Sequence, residues 1–119
     1  MCRCNYRMIT LKSGVKLNGM SPQIMLAILF AQYTWFQWFR HYPFVITSVT
    51  DGHHSKGSKH YIGNAFDLRV RGPDNDWSAP EQQRRSYCDA LKRRLGKEFD
   101  IVLHEGGSAH IHIEWDPEE

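Results

Sequence analysis

Two segments of the chain, Ala65–Arg71 and Ala109–Trp115, alternate between apolar and polar residues. Successive side chains of a β-strand point to opposite faces, so this alternation predicts two strands that each bury one face and leave the other open. The predicted open faces carry Asp67, Arg69, His110, His112 and Glu114. If both strands belong to one sheet and bury their apolar faces on the same helices, these polar side chains share one surface.

The remaining elements complete a predicted α+β fold. Ser21-Pro22 is typical of a helix start, because serine caps the free N–H groups and proline suits the first helical position. The predicted elements are a strand or hairpin in Met8–Leu17, a helix from Ser21 to Arg40 or His41, a strand at Phe44–Thr50, a helix from the capping box Ser78/Glu81 to Leu95, and a strand at Phe99–His104. We expect one domain over residues 1–119, with an antiparallel sheet of about four strands and the helices on one face.

The longest apolar run, Ile24–Phe39, predicts a buried helix. It is shorter than the ~20 residues that a membrane span needs, and Gln32 and Gln37 interrupt it, so stable membrane insertion is not expected. Its apolar residues approximate one wide face, formed by Met25, Ile28, Leu29, Trp35, Phe36 and Phe39.

Composition excludes some partners. The net charge is +2 with neutral histidines, and no dense basic stripe with interleaved aromatics indicates nucleic-acid binding. The basic residues of the second helix predict a solvated face. Three cysteines, Cys2, Cys4 and Cys88, cannot all pair internally, which favours reduced thiols in a chain made in a cytosol. No signal peptide is visible, so we expect synthesis in the cytoplasm, and we expect a monomer.

The convergent polar surface predicts a metal site. Asp67, His110 and His112 lie on it, and His60, seven residues before Asp67, can close over the same point from the preceding loop. Two imidazoles and one carboxylate give a catalytic zinc three protein ligands and leave the fourth position for water. Gly63 permits a turn that a side chain would obstruct. The mixed nitrogen and oxygen set favours zinc without requiring it.

Two stretches resemble a known family. Residues 58–67, SKHYIGNAFD, resemble the SxHxxGxAxD motif of the M15 peptidase family, which comprises zinc D-Ala-D-Ala carboxypeptidases and L,D-endopeptidases that cut peptidoglycan stems. Residues 110–117, HIHIEWDP, resemble the end of short members found in bacteriophages and bacteria. The resemblance spans Phe44 to Pro117. It implies a hedgehog/DD-peptidase-like fold, with the zinc site on the sheet face opposite the helices.

The resemblance also implies roles for individual residues. His60, Asp67 and His112 match the three ligands of one zinc ion per chain, and His110 matches the general base or transition-state stabiliser of related peptidases. Other branches place a glutamate where this chain has Ala109. Glu105 and Glu114 are therefore alternative bases.

The group that holds the substrate departs from the family pattern. Many relatives carry an arginine shortly before the motif, whereas residues 48–54 here read SVTDGHH. His54, Ser58 and Arg69 are the substrate-binding residues that we predict instead, with His53 as an alternative to His54. The implied activity is hydrolysis of peptidoglycan stem peptides, at D-Ala-D-Ala or L-Ala-D-Glu bonds.

The setting that the resemblance implies is the cell wall. A phage lysis enzyme acting in the host periplasm is one such setting. Two alternatives remain open: a non-catalytic zinc module that binds wall fragments or a protein partner, and a structural phage component.

Overall fold

The structure, a computed structural model, describes residues 8–50 and 63–117. These residues form two helices and five strands. In chain order the elements are β1 (Ile9–Leu11), α1 (Pro22–Trp38), β2 (Phe44–Ser48), β3 (Ala65–Arg69), α2 (Glu81–Leu95), β4 (Phe99–His104) and β5 (His110–Trp115). The strands form one sheet in the order β1-β2-β3-β5-β4. The predicted α+β class is confirmed.

The sheet is mixed, which corrects the prediction of an antiparallel sheet of about four strands. β1 pairs with β2 in parallel, and the other neighbouring strands are antiparallel. In the segment predicted as a strand or hairpin, Ser13-Gly14 forms a turn, yet this turn does not return the chain as a hairpin. Instead the chain crosses over through α1 before it reaches β2. Such a helical crossover is what parallel neighbours require.

One face of the sheet packs on the helices, and no helix or strand of the described residues covers the other, which we call the open face. Phe66, Leu68, Ile111 and Ile113 are fully buried in a core that also contains α1 and α2 residues. The residues between them point to the opposite face, because side chains alternate along a strand. β3 and β5 lie at the centre of the sheet, so their open faces adjoin one another.

Helix α1 begins as predicted and ends slightly early. The Ser21 side chain accepts a hydrogen bond from the Ile24 N–H, and Pro22 occupies the first turn. The last helical residue is Trp38, rather than Arg40 or His41. Trp35 anchors the helix in the core, where its ring lies 5.3 Å from that of Tyr87 on α2. No helix in the described residues is long and apolar enough to cross a membrane.

The buried face of α1 differs from the predicted one. Met25 and Leu29 are about half exposed, whereas Ile28 and Trp35 are buried. The helix is apolar nearly all round, so sequence periodicity does not identify which side meets the sheet. The side that packs also carries Ala27 and Ala31, and small residues allow close approach to α2 and the sheet. The outer side presents Met25, Leu26, Leu29, Phe30 and Tyr33.

Helix α2 begins without the predicted capping box. Pro80 occupies the capping position and Glu81 is the first helical residue. The Ser78 hydroxyl accepts a hydrogen bond from Arg84 instead. Arg84 is also an exception to the predicted solvated basic face, since it is only 4% exposed.

Candidate active site

Asp67 and His112 lie side by side on the open face of the sheet. They are register partners on the antiparallel strands β3 and β5. The His112 Nδ1 lies 2.9 Å from Asp67 Oδ1, and both side chains are mostly shielded from solvent. The strand alternation that predicted a shared face for these two residues is therefore confirmed in its geometry.

The His112 ring lies between two carboxylates. Its Nε2 is 2.8 Å from Oε1 of Glu114, two residues along the same strand. A histidine donates to two carboxylates only when both ring nitrogens carry protons. The hydrogen bond to Asp67 accordingly raises the pKa of His112, with a further contribution from Glu114, while burial acts in the opposite direction. A proton on this ring competes with a metal ion for the same nitrogen.

The pair suits two ligands of a zinc ion. Two atoms that each lie ~2.0 Å from zinc at a tetrahedral angle are ~3.3 Å apart, so the 2.9 Å between Nδ1 of His112 and Oδ1 of Asp67 has to open by only a few tenths of an ångström. Metal-binding histidines usually donate their other ring N–H to a carboxylate, which is the place that Glu114 occupies. The third predicted ligand, His60, lies outside the described residues.

A group of three acidic side chains adjoins this pair. Asp100, Glu114 and Asp116 place one carboxylate oxygen each within 4.8 Å of one another and can hold a metal ion. Oxygen ligands of this kind suit calcium, magnesium or manganese better than zinc. Strand alternation within single segments does not predict this group. Asp100 comes from β4, and only the register that pairs it with Glu114 brings the carboxylates together.

His110 lies two residues before His112 on the same open face. Its Nδ1 is 2.7 Å from the Ser108 carbonyl oxygen, and its ring stacks on that of His104 at 4.7 Å. A carbonyl can only accept, so Nδ1 of His110 carries a proton. In the neutral ring Nε2 then keeps its lone pair and can accept a proton. Residue His104, which the sequence analysis did not single out, helps to fix the plane of this ring.

A groove of about 410 Å³ runs over the open face beside these residues. Asp67, Arg69 and His110 form part of its floor, and Lys12 and Thr47 extend it towards β1 and β2. Its walls come from the loop after β3 and from the turn between β4 and β5, at residues 72–75 and 107–109. Of the predicted substrate-binding residues, Arg69 lies in this groove, and His54 and Ser58 lie outside the described residues.

Two arginines hold the turn between β4 and β5. Arg84 contacts Glu105 at 2.7 Å and donates to the Ala79 carbonyl at 2.7 Å. Arg71 donates to the carbonyls of Gly106 and Gly107. Glu105, an alternative base in the sequence analysis, is thus engaged with Arg84, and it lines a second cavity rather than the groove. Glu114, the other alternative, holds the His112 ring.

Removing the Arg84 side chain should destabilise the protein. We expect Arg84→Met to lower the free energy of unfolding by about 2 kcal/mol, because the Ala79 carbonyl and the Glu105 carboxylate lose the guanidinium that they bind. The loss is smaller than for a fully buried pair, since the Glu105 side chain is 36% exposed. Arg85→Met, at an exposed neighbour on α2, is the matched control and should stay within about 0.5 kcal/mol. Urea denaturation of both variants measures the difference, and equal losses would refute it.

Gly63, the sixth residue of the SxHxxGxAxD motif, contacts the segment just before α1. Its φ is +78°, and a Cβ there would lie 2.1 Å from the Gly19 carbonyl oxygen. Its own carbonyl accepts a hydrogen bond from the Ser21 N–H at 3.0 Å. The expectation that this position needs glycine is confirmed. The chain then enters β3 at Ala65, which is fully buried.

The chain matches no sequence profile of a known family, no curated protein and no solved structure. The resemblance of residues 58–67 and 110–117 to the M15 peptidases therefore remains an expectation drawn from the motif.

Proposed function

We propose that this chain is a zinc-dependent peptidase that hydrolyses the stem peptides of peptidoglycan. The observation that carries the proposal is the pairing of Asp67 with His112 on an open sheet face, two residues from His110, whose Nε2 can accept a proton. The substrate class comes from the motif resemblance at residues 58–67 and 110–117. In this proposal His60 supplies the third zinc ligand, and the cell wall is the place of action, as for a phage lysis enzyme.

Each residue of the site has a defined task in the proposed reaction. Asp67 and His112 hold the metal with His60, and Glu114 orients the His112 ring. Zinc, when bound, acidifies a water molecule towards a pKa of ~7 and polarises the scissile carbonyl. His110 Nε2 takes the proton from the attacking water and delivers it to the leaving amine as the C–N bond breaks. The stack on His104 and the hydrogen bond to Ser108 hold that ring in place.

The test combines metal analysis with product analysis. Purified protein should contain close to one zinc per chain, and peptidoglycan digested with it should release new amino termini or free D-alanine, detected by mass spectrometry. A chelator should stop the release, and added zinc should restore it. Zinc-loaded protein that yields no product from walls of any defined chemistry would overturn the peptidase and favour a non-catalytic zinc module.

A further inference from the structure

The floor of the groove carries an excess of positive charge. Lys12, Arg69 and Arg71 line it, against one carboxylate, that of Asp67. The Asp67 carboxylate already accepts a hydrogen bond from His112. Arg71 is engaged with the carbonyls of the turn between β4 and β5. Two cationic side chains, Lys12 and Arg69, therefore supply the charge that is available to a ligand.

Lys12 and Arg69 have no ionic partner in the described part of the chain. The ion pairs there involve Arg84 and His112. Arg69 is half-buried in the groove, on a central strand. A partly buried cation without a counter-charge is costly unless it meets an anion, and a guanidinium matches the two oxygens of a carboxylate. The arrangement thus favours an anionic ligand over a neutral one.

The position of Arg69 limits how far the anion lies from the reaction centre. Arg69 is two residues from Asp67 on β3 and faces the same side, which separates the two Cα atoms by ~7 Å. An extended peptide advances ~3.4 Å per residue. A carboxylate held by Arg69 therefore lies one or two residues from a carbonyl placed beside Asp67 and His112.

We infer that Lys12 and Arg69 form a subsite for a carboxylate of the peptide ligand. This inference rests on the proposed function for the identity of the ligand as a peptide. The carboxylate comes from one of two sources, the end of the chain or an acidic side chain. Both place the same charge in the groove, and matched peptide pairs distinguish them.

The test measures binding and does not depend on hydrolysis. The full chain carries His110→Gln, so that the peptides stay uncut. It is loaded with zinc and titrated with each of four peptides by calorimetry. Acetyl-D-Ala-D-Ala and its C-terminal amide test the chain-end carboxylate. Acetyl-L-Ala-D-Glu-amide and acetyl-L-Ala-D-Gln-amide test the side-chain carboxylate. In one pair the charged peptide should bind on the order of 10-fold more tightly than the neutral peptide, with a smaller ratio at high salt.

Variants assign this preference to the subsite. Lys12→Gln and Arg69→Gln should each reduce the ratio of affinities between the charged and the neutral peptide, and the double variant should bring this ratio near one. Arg69→Lys keeps the charge and should retain part of the preference, which separates lost charge from lost structure. Arg93→Gln, at an exposed cation on α2, should change nothing.

Equal binding within both pairs would overturn the subsite, as would binding of none of the four peptides at millimolar concentration. A preference that survives in the double variant would overturn it too. A charge preference that disappears in the double variant, in a protein that cuts no wall, would sustain the subsite and refute the peptidase. A protein that cuts the wall but binds charged and neutral peptides equally would refute the subsite and leave the peptidase standing.

Discussion

Substituting asparagine for Asp67 should give a folded protein that no longer holds zinc and releases nothing from peptidoglycan. Asparagine keeps the size of aspartate and an oxygen that accepts from His112 Nδ1, so the pairing of β3 with β5 should survive. It removes the one anionic ligand of the proposed set. Loss of an outer partner of a metal ligand already costs 10–100-fold in affinity, so loss of the ligand itself should exceed about 100-fold. Elemental analysis after dialysis measures the metal, and mass spectrometry measures the fragments.

His110→Gln is the informative partner of this variant. It should keep the zinc and lower the rate of fragment release by about 10²–10⁴-fold, which is the usual contribution of a proton-transferring residue. Asp89→Asn, an exposed carboxylate-to-amide change on α2, should alter neither property. Zinc that is lost in His110→Gln would contradict the division between ligand and proton carrier.

The same series locates the metal. A metal that persists in Asp67→Asn and disappears in Asp116→Asn would belong to the acidic group of Asp100, Glu114 and Asp116. In that case the peptidase proposal would lose its metal centre. Retention of the metal in both variants would exclude both sites.

Alanine at Gly63 should lower the free energy of unfolding by about 4 kcal/mol. Two costs combine there: a positive φ that alanine rarely adopts, and a Cβ that meets the Gly19 carbonyl oxygen at 2.1 Å. Gly19 belongs to the turn before α1, so the backbone has to move apart to admit the methyl group. The hydrogen bond from the Ser21 N–H to the Gly63 carbonyl should weaken as a result.

Gly14→Ala separates these two costs. Gly14 has a φ of +91°, and a Cβ there would have nothing within 4 Å. Gly14→Ala should therefore lower the free energy of unfolding by only about 1 kcal/mol, the cost of the left-handed backbone. Urea denaturation of both variants gives the difference that close approach causes. Similar losses at the two positions would show that the contact with Gly19 has no effect on stability.

The sequence was most informative where a pattern depends on a single strand. Alternation alone placed Asp67 and His112 on one open face, because a side-chain period of two leaves no choice of face once the apolar residues are buried. The Ser21-Pro22 start of α1 was predictable for a similar reason, since a cap is a local contact between residues three apart. The turn at Gly63 also followed from the local chain, whereas the close approach of its backbone to Gly19 did not.

Features that depend on distant partners were not predictable in this way. The parallel pairing of β1 depends on where α1 returns the chain. The buried side of α1 is selected by the sheet and by α2, and the apolar sequence of the helix does not encode it. Arg84 is buried because Glu105, 21 residues away, meets it at the start of α2. Lys12, which follows directly after β1, reaches the groove from a part of the chain far from the motif in sequence.

The parallel strand β1 has a consequence for any attempt to trim this protein to the segment that resembles the peptidases. β1 donates and accepts along the outer side of β2, in a register that pairs Ile9 with Phe44 and Leu11 with Ile46. A fragment that begins at Phe44 would leave that side of β2 unpaired, and an unpaired apolar edge is a template for intermolecular strand addition and aggregation. The first part of the chain therefore replaces a five-residue edge strand with one of three residues, and short edge strands are poorer templates for such addition.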